Sequence, residues 1–176
     1  MKYCKLTDKN NRTFGGTQWG EGVTYRATGD GNTLCSKDVI HVYDHPLKAV
    51  MFNPVHADFK KYNLWECRVG KVVVNDKLKV GVKQCTTIRQ IEAPVITTEQ
   101  RVRFAIYCAL KVYHDESFEE WANNWLSGQD RSAEAAEAAA EAVARAVAWV
   151  AVAARAAEAK IDFALLIERA MKGEKL

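Results

Sequence analysis

Residues 131–160 read RSAEAAEAAAEAVARAVAWVAVAARAAEAK, and this stretch governs how the rest of the chain is interpreted. It holds 16 alanines in 30 residues, and no glycine or proline interrupts the chain between it and Gly173. Alanine has the highest helix propensity of the amino acids, so the stretch is predicted to be helical with little help from tertiary packing. Because alanine side chains carry no functional group, we expect the stretch to pack or assemble and any chemistry to lie upstream.

The larger apolar residues of this segment recur at roughly heptad spacing, and the alanines between them allow another helix to approach closely. An unbroken helix from Ser132 to Lys172 would be about 60 Å long at 1.5 Å per residue. A break near residues 160–162 would instead separate a last short helix. We interpret the stripe as a packing or oligomerisation surface, formed with a second copy of the chain or with an upstream helix. Its residues are Val143, Val147, Val150, Ala154, Ala157, Ile161 and Leu165.

Residues 94–130 are predicted to form two amphipathic helices. Thr97 and Gln100 have the spacing of a capping box at the start of the first helix, and apolar residues follow it with a helical period. Ser117 and Glu120 repeat that spacing at the start of the second helix.

Residues 1–93 alternate short β-favouring runs with turn signals, which predicts a small, mostly antiparallel sheet. One short helix is predicted within it, with Asp44 as the N-cap, Pro46 in the first turn and Asn53-Pro54 after its end. The predicted fold class is α+β, with a helical C-terminal half that ends in a long alanine-rich helix over residues 131–176. The predicted strands lie within Tyr3–Leu6, Val23–Ala27, Val39–Tyr43, Leu64–Val74, Leu78–Val82 and Thr86–Ile91.

The distribution of charge limits the classes of ligand. Residues 1–98 carry 15 Lys/Arg against 9 Asp/Glu, a formal charge of +6, whereas residues 99–176 carry 10 against 13, or −3. A mildly basic first half suits a nucleotide or an acidic protein. No basic cluster is interleaved with aromatic residues, so specific nucleic-acid binding is not expected.

The cysteines and the hydropathy pattern bear on the cellular compartment. The five cysteines form no CxxC motif, which predicts free and mostly buried thiols in a reducing cytosol. Met1–Lys9 lacks the apolar run of a signal peptide, and the apolar segment Ala146–Ala154 is far shorter than the roughly 20 residues of a membrane span. We therefore expect a cytoplasmic protein without membrane association.

Four segments of the first half occur in an order that carries a family resemblance. They are Gly15–Trp19 (GGTQW), Leu34-Cys35, His41–Leu47 (HVYDHPL) and Leu64–Cys67 (LWEC). Together they resemble an uncharacterised family common in tailed-phage and prophage genomes, which has a GFQ-like turn, an LC…GxH strand and a P-L helix. The resemblance covers residues 1–93. It implies a phage or prophage origin and a location in the host cytosol, and the family has no established activity to transfer.

Cysteine and histidine residues of the first half offer two chemical alternatives. Cys35, His41, His45 and His56 have the spacing C-x5-H-x3-H-x10-H, which matches no closed zinc site, so neither a metal nor another cofactor is predicted. Cys35 with His41 or His56 is the best candidate for a nucleophile and its base, although a buried structural cysteine is the simpler interpretation.

A nucleotide site is the other alternative for the first half. Tyr25-Arg26, His41-x-Tyr43 and the helix that follows resemble elements of ADP-ribosyltransferase-like nucleotide folds, although no complete catalytic triad aligns. On this resemblance Arg26 would hold a phosphate, His41 a ribose, and Glu66 would act as the acid. The candidate ligand-binding residues are Arg26, His41, Tyr43, His45 and Glu66.

The sequence thus favours a non-enzymatic phage or prophage protein that acts by binding. One such role is counter-defence, in which the protein binds a host immune complex or sequesters its nucleotide signal. The alternatives are a domain that binds or modifies a nucleotide (NAD, ADP-ribose or a cyclic nucleotide) and a virion accessory protein. Self-association through the C-terminal helix is expected, and a host protein or a nucleotide is the candidate partner.

Overall fold

A computed structural model describes residues 3–111, 113–129, 131–132 and 161–174. The chain divides into two compact units, Met1–Val95 and Ile96–Leu176, so the boundary falls next to Pro94. Most of the alanine-rich segment, including Val143–Ala157 of the proposed packing stripe, lies outside the described residues. The described part is α+β: antiparallel sheets dominate the first unit and helices the second.

The first unit contains two antiparallel sheets where the sequence predicts one. The strands are β1 (Tyr3–Asp8), β2 (Thr24–Arg26), β3 (Ile40–Val42), β4 (Tyr62–Val69), β5 (Val72–Asn75), β6 (Val80–Val82) and β7 (Gln84–Ile91). One sheet has the order β1-β4-β7-β2 and the other the order β3-β6-β5. Reciprocal backbone hydrogen bonds of 2.8 Å between Cys4 and Tyr43 join β1 to the end of β3.

The β-favouring run Leu64–Val74, in which Gly70 is the candidate for a bulge or a tight bend, contains two strands. The chain turns at Gly70, whose backbone N–H donates to the carbonyl of Gln84 at 2.9 Å. As a result β4 pairs with β1 and β7, whereas β5 pairs with β6 in the other sheet. Apolar periodicity cannot show this change of sheet, because both strands carry valines and both are partly buried.

Two short helices follow β3: α1 (Pro46–Met51) and α2 (Asn53–His56). The N-cap of α1 is His45, whose Nδ1 accepts a hydrogen bond from the Leu47 N–H at 3.2 Å, so the prediction of Asp44 as the cap is wrong. Asp44 instead forms an ion pair with Lys48 one helical turn later, at 3.0 Å. The Asp44 carboxylate therefore has the charged partner Lys48, and the imidazole of His45 accepts from the free backbone amide of Leu47.

The core of the first unit contains polar groups as well as apolar ones. Thr7 and Thr87 are fully buried, and the Thr7 hydroxyl accepts a hydrogen bond from Trp65 Nε1 at 3.2 Å. Thr87 donates its hydroxyl to the carbonyl of Gly20, which fastens the segment before β2 to β7. The apolar core forms two clusters, one of Trp19, Val42, Trp65, Cys67, Val80, Val82 and Cys85 and the other of Cys4, Leu6, Tyr43, Ala49 and Leu64.

In the second unit the described helices are α3 (Thr98–Ala109), α4 (Glu116–Ser127) and α5 (Phe163–Lys172). The capping box of Thr97 and Gln100 is confirmed, with both reciprocal hydrogen bonds present. The cap predicted at Ser117 is wrong: Asp115 accepts from the Phe118 N–H at 3.0 Å, and Ser117 lies inside α4. Asp115 takes this position because its carboxylate lies three residues before the free amide, as capping geometry requires.

The last described helix begins at Phe163, and Asp162 caps it by accepting from the Leu165 N–H at 3.1 Å. It packs against α3, where Gln100 Nε2 donates to the carbonyl of Met171 at 3.2 Å. Ile161 is buried and Leu165 is half exposed, so these two residues of the proposed stripe do not share one environment. In the part of the chain that the structure describes, no helix has the length and apolar character needed to cross a membrane.

Candidate functional site

The first unit contains a cavity of about 670 Å³. Its walls come from the turn before β2, from β2 and the loop that follows it, from β3, and from the end of α2. Among the described residues that line it, four carry cationic side chains (Lys5, Arg26, Lys37 and Lys79) and none carries a carboxylate. Aromatic side chains form much of the remaining wall: Phe14, Trp19, Tyr25, Tyr43 and Phe59. The cavity therefore presents positive charge beside flat apolar surfaces.

The loop between β2 and β3 is held by one lysine. Lys83 Nζ donates to the carbonyls of Gly29 at 2.9 Å, Gly31 at 2.5 Å and Asp38 at 2.8 Å. A Cβ at Gly29 would lie 2.1 Å from Asp38 Oδ1 and 3.1 Å from Asp38 Cα, so a side chain there would displace the Asp38 carboxylate. This compact loop brings Lys37 to the cavity wall, although it lies outside both sheets.

His41 positions the same loop from the other side. Its Nε2 accepts a hydrogen bond from the backbone N–H of Cys35 at 3.0 Å, which requires the neutral imidazole with its proton on Nδ1. Burial, followed by the positive charges of Lys79 and Lys5, lowers the pKa of His41 to about 4. His41 is thus neutral near pH 7 and holds the loop in place.

A second histidine lies beside the cavity. The Tyr43 hydroxyl is 3.0 Å from His56 Nδ1, and the two rings are stacked with their centroids 5.9 Å apart. Burial and the nearby Lys79 lower the pKa of His56 to about 4, and burial raises the pKa of Tyr43 above its ordinary value. Both groups therefore stay uncharged near neutral pH, and they add no negative charge to the wall.

Lys5 lines the cavity and is buried. Its ammonium donates to the carbonyl of His41 at 2.8 Å and lies 4.6 Å from the centre of the Trp19 ring. Desolvation lowers its pKa, while the thiols of Cys85 and Cys67 act in the opposite direction. The hydrogen bond to His41 links β1 to β3. Because its ammonium has these internal partners, Lys5 has a structural role and is less available to a ligand.

Three of the five predicted ligand-binding residues line the cavity: Arg26, His41 and Tyr43. The other two have structural contacts elsewhere. His45 caps α1, and the Glu66 carboxylate accepts from Arg89 Nε at 2.7 Å. Glu66 is not among the lining residues, so the described geometry does not bring it to Arg26 and His41 as an acid.

The structure also addresses the metal and nucleophile alternatives. Among the described residues, no group of three or more His, Cys, Asp or Glu side chains could hold a metal ion. For the pair of Cys35 and His41, the imidazole accepts from the backbone N–H of Cys35 at 3.0 Å. The interpretation of Cys35 as a buried structural cysteine is wrong, because Cys35 is exposed. The group beside the thiol is Lys79, whose Nζ lies 3.0 Å from Cys35 Sγ.

Sequence reasoning missed Lys5, Lys37 and Lys79 as parts of the site. Lysine is common on protein surfaces, and no motif separates these three from the other lysines of the first half. Lys79 reaches the cavity because the turn before β6 places it opposite a loop 44 residues earlier in the chain. Only the pairing of distant strands could reveal this arrangement.

No protein-family model matches the chain, and no curated protein or solved structure matches it either. What the cavity can bind is therefore inferred from its own side chains and their contacts.

Proposed function

We propose that the first unit binds a small anionic ligand with a planar ring, of the nucleotide class, and that the protein acts by sequestering this ligand. The observation that carries the proposal is the cavity lining, which combines four cationic side chains with aromatic surfaces and, among its described residues, no carboxylate. Phosphate groups need cations and donors, and a base needs a flat apolar surface. One cavity supplies both.

Two of the four cations are available to a ligand. Within the described residues, the side chains of Arg26 and Lys37 make no hydrogen bond or ion pair, whereas Lys5 and Lys79 have internal partners. The guanidinium of Arg26 has a planar arrangement of donors that matches phosphate oxygens, and the ammonium of Lys37 acts as a point charge. These two residues are expected to make the main contacts with the anionic part of the ligand.

Two aromatic side chains are exposed at the cavity. Phe14 is 90% exposed and Tyr25 is 38% exposed, and the Tyr25 ring meets Trp19 edge-on with centroids 4.9 Å apart. Gly15 and Gly16 follow Phe14 with φ of 85° and 81°, a conformation that favours glycine and shapes the turn carrying the ring. Stacking on such a ring contributes about 1–3 kcal/mol per base.

The same geometry supports binding without turnover. The two histidines near the cavity are neutral and engaged, and the described lining offers no carboxylate as an acid or a nucleophile. Sequestration of a nucleotide signal is the form of phage counter-defence that fits a cavity of this kind. The resemblance to a phage and prophage family supports that setting.

Calorimetric titration of the full chain with ATP, NAD, ADP-ribose and a cyclic dinucleotide tests the proposal, with adenosine as the uncharged comparison. We expect at least one nucleotide to bind more tightly than adenosine, with affinity that falls as salt is added. Arg26→Gln and Lys37→Gln should each weaken binding about tenfold, the equivalent of about 1.4 kcal/mol.

The control is Lys61→Gln, which removes an exposed lysine outside the cavity lining. It lowers the net charge by the same amount and should leave the affinity unchanged. Equal losses in all three variants would show nonspecific attraction, and the absence of heat with every nucleotide would refute the proposal.

A further inference from the structure

The loop between β2 and β3 brings two of the cavity's cationic residues together. The end of the loop returns beside its start, because the carbonyl of Lys37 accepts from the backbone amides of Thr28 at 3.1 Å and Gly29 at 2.9 Å. Arg26 precedes Thr28 by two residues on β2, and Arg26, Thr28 and Lys37 all line the cavity. Arg26 and Lys37 therefore lie on adjoining segments of one wall.

The same wall continues from Lys37 to Lys79. Cys35 lines the cavity two residues before Lys37, and its sulfur lies 3.0 Å from Lys79 Nζ. Burial, followed by the charge of Lys79, lowers the pKa of both His41 and His56, so the ammonium lies near these two imidazoles. Both histidines line the cavity on the side of β3 and α2. Lys79 thus belongs to the end of the cavity that is farther from β2.

The separation of Arg26 from Lys79 follows from the strand between them. Arg26 pairs with Gln84, which comes just after β6, whereas Lys79 directly precedes β6. Because three strand residues span about 10 Å, the backbone positions of the two cations are on the order of 10 Å apart. A phosphate group held by Arg26 and Lys37 therefore leaves Lys79 without an anion, whereas a chain of phosphates extends toward it.

Lys79 keeps donors for a ligand. An ammonium carries three hydrogens, and among the described residues the hydrogen-bond acceptor of this side chain is the Cys35 sulfur, a weak acceptor. Asp76, on the same turn, accepts from the backbone amides of Leu78 at 3.0 Å and Lys79 at 2.7 Å and does not line the cavity. A phosphate oxygen is a stronger acceptor than the thiol, since the hydrogen bond is then charged on both sides.

We propose that the ligand of the cavity is a linear nucleoside polyphosphate, whose first phosphate contacts Arg26 and Lys37 and whose last phosphate contacts Lys79. This inference rests on the nucleotide-class ligand proposed above and adds the number and arrangement of its phosphates. The base packs on the exposed ring of Tyr25, the neighbour of Arg26 on β2. A nucleoside monophosphate reaches only one end of this row of cations, and the phosphates of a cyclic dinucleotide do not form a chain.

Calorimetric titration of the full chain with AMP, ADP, ATP and inorganic tripolyphosphate, in the presence of EDTA, tests the arrangement. ATP should bind about tenfold more tightly than AMP, because its last phosphate gains a charge-assisted hydrogen bond. Lys79→Gln should weaken ATP binding about tenfold and leave AMP binding unchanged, whereas Arg26→Gln should weaken both. Tripolyphosphate should also lose affinity in Lys79→Gln, but it should bind more weakly than ATP because it has no ring to stack.

Lys77→Gln is the matched control, because Lys77 is exposed on the same turn and does not line the cavity. It should leave the affinity for ATP unchanged. Lys79→Arg keeps the charge and should keep the preference for ATP over AMP, which distinguishes a lost contact from a folding defect in Lys79→Gln.

The outcomes separate this inference from the nucleotide-class proposal. Equal affinities for AMP and ATP, or equal losses of both in Lys79→Gln, would overturn the inference and leave the broader proposal standing. Tripolyphosphate binding as tightly as ATP would overturn the assignment of a nucleoside. If none of the nucleotides binds, both proposals fail.

Discussion

The strands of the first unit and the helix starts of the second unit are fixed by contacts of different range along the chain. In the first unit the polar contacts join residues far apart in sequence, such as Trp65 with Thr7 and Lys5 with His41. In the second unit the three described helices begin at local caps, each made by a side chain bonded to an amide three residues later. The comparison shows that local sequence specifies helix ends, whereas a site assembled from distant strands depends on the whole fold.

The largest expected effect is the loss of a buried side chain between strands. Leu64 on β4 is fully buried and pairs with Leu6 and Ile91. Leu64→Ala should lower the free energy of unfolding of the first unit by about 2–5 kcal/mol, because it leaves a cavity that the sheet cannot close. Urea denaturation followed by circular dichroism measures the change. Val95→Ala is the control, because Val95 is 83% exposed. An equal effect in both variants would show that the burial of Leu64 is not the cause of the loss.

Acid should destabilise the first unit next most strongly. His41 and His56 have a pKa of about 4 in the folded chain against an ordinary value of 6.5. Between these values the unfolded chain binds protons that the folded chain does not, so stability falls as the pH drops from 6.5 to 4 and levels off below. Each histidine should contribute on the order of 2 kcal/mol to this loss.

His56→Gln tests this prediction. It should remove about half of the decrease in the free energy of unfolding that urea denaturation measures between pH 6.5 and pH 4. His114→Gln is the matched control, since His114 lies in the second unit and its side chain is 73% exposed. If His56→Gln leaves the pH profile unchanged, or if His114→Gln changes it equally, the acid sensitivity does not arise from the buried histidines.

A smaller effect is expected at a local cap. Thr97→Ala removes the hydroxyl that accepts from the Gln100 N–H at 3.2 Å, and it should cost the second unit about 1 kcal/mol. Thr98→Ala removes the same kind of side chain from the next position, where no capping bond depends on it. Thermal denaturation of the two variants compares them, and a similar loss in both would show that the cap contributes little.

The smallest effect is expected at Glu66, the acid of the ADP-ribosyltransferase-like alternative. Its partner Arg89 is 64% exposed, so the pair is screened by water and should contribute less than about 1 kcal/mol. Glu66→Gln should leave nucleotide affinity in the calorimetric titration unchanged. A loss of binding or of any turnover in this variant would support a catalytic role for Glu66 against the geometry described above.

Part of the site could be predicted from the sequence. Arg26, His41 and Tyr43 are candidates because of the resemblance to ADP-ribosyltransferase-like nucleotide folds, and all three line the cavity. His45 and Glu66 belong to the same predicted set, but each is used in a contact within its own helix or sheet. Lys37 and Lys79 could not be predicted as site residues, because no local sequence pattern distinguishes a lysine that lines a cavity from a lysine elsewhere on the surface.

The sequence by itself determined the α+β class, the approximate strands and the Thr97 cap. These features depend on residues within a few positions of one another, and backbone conformation and capping bonds act over that range. The tertiary structure decided the division into two sheets at Gly70 and the meeting of Cys35 with Lys79. Both depend on partners that are distant in sequence, and only the folded chain sets those distances.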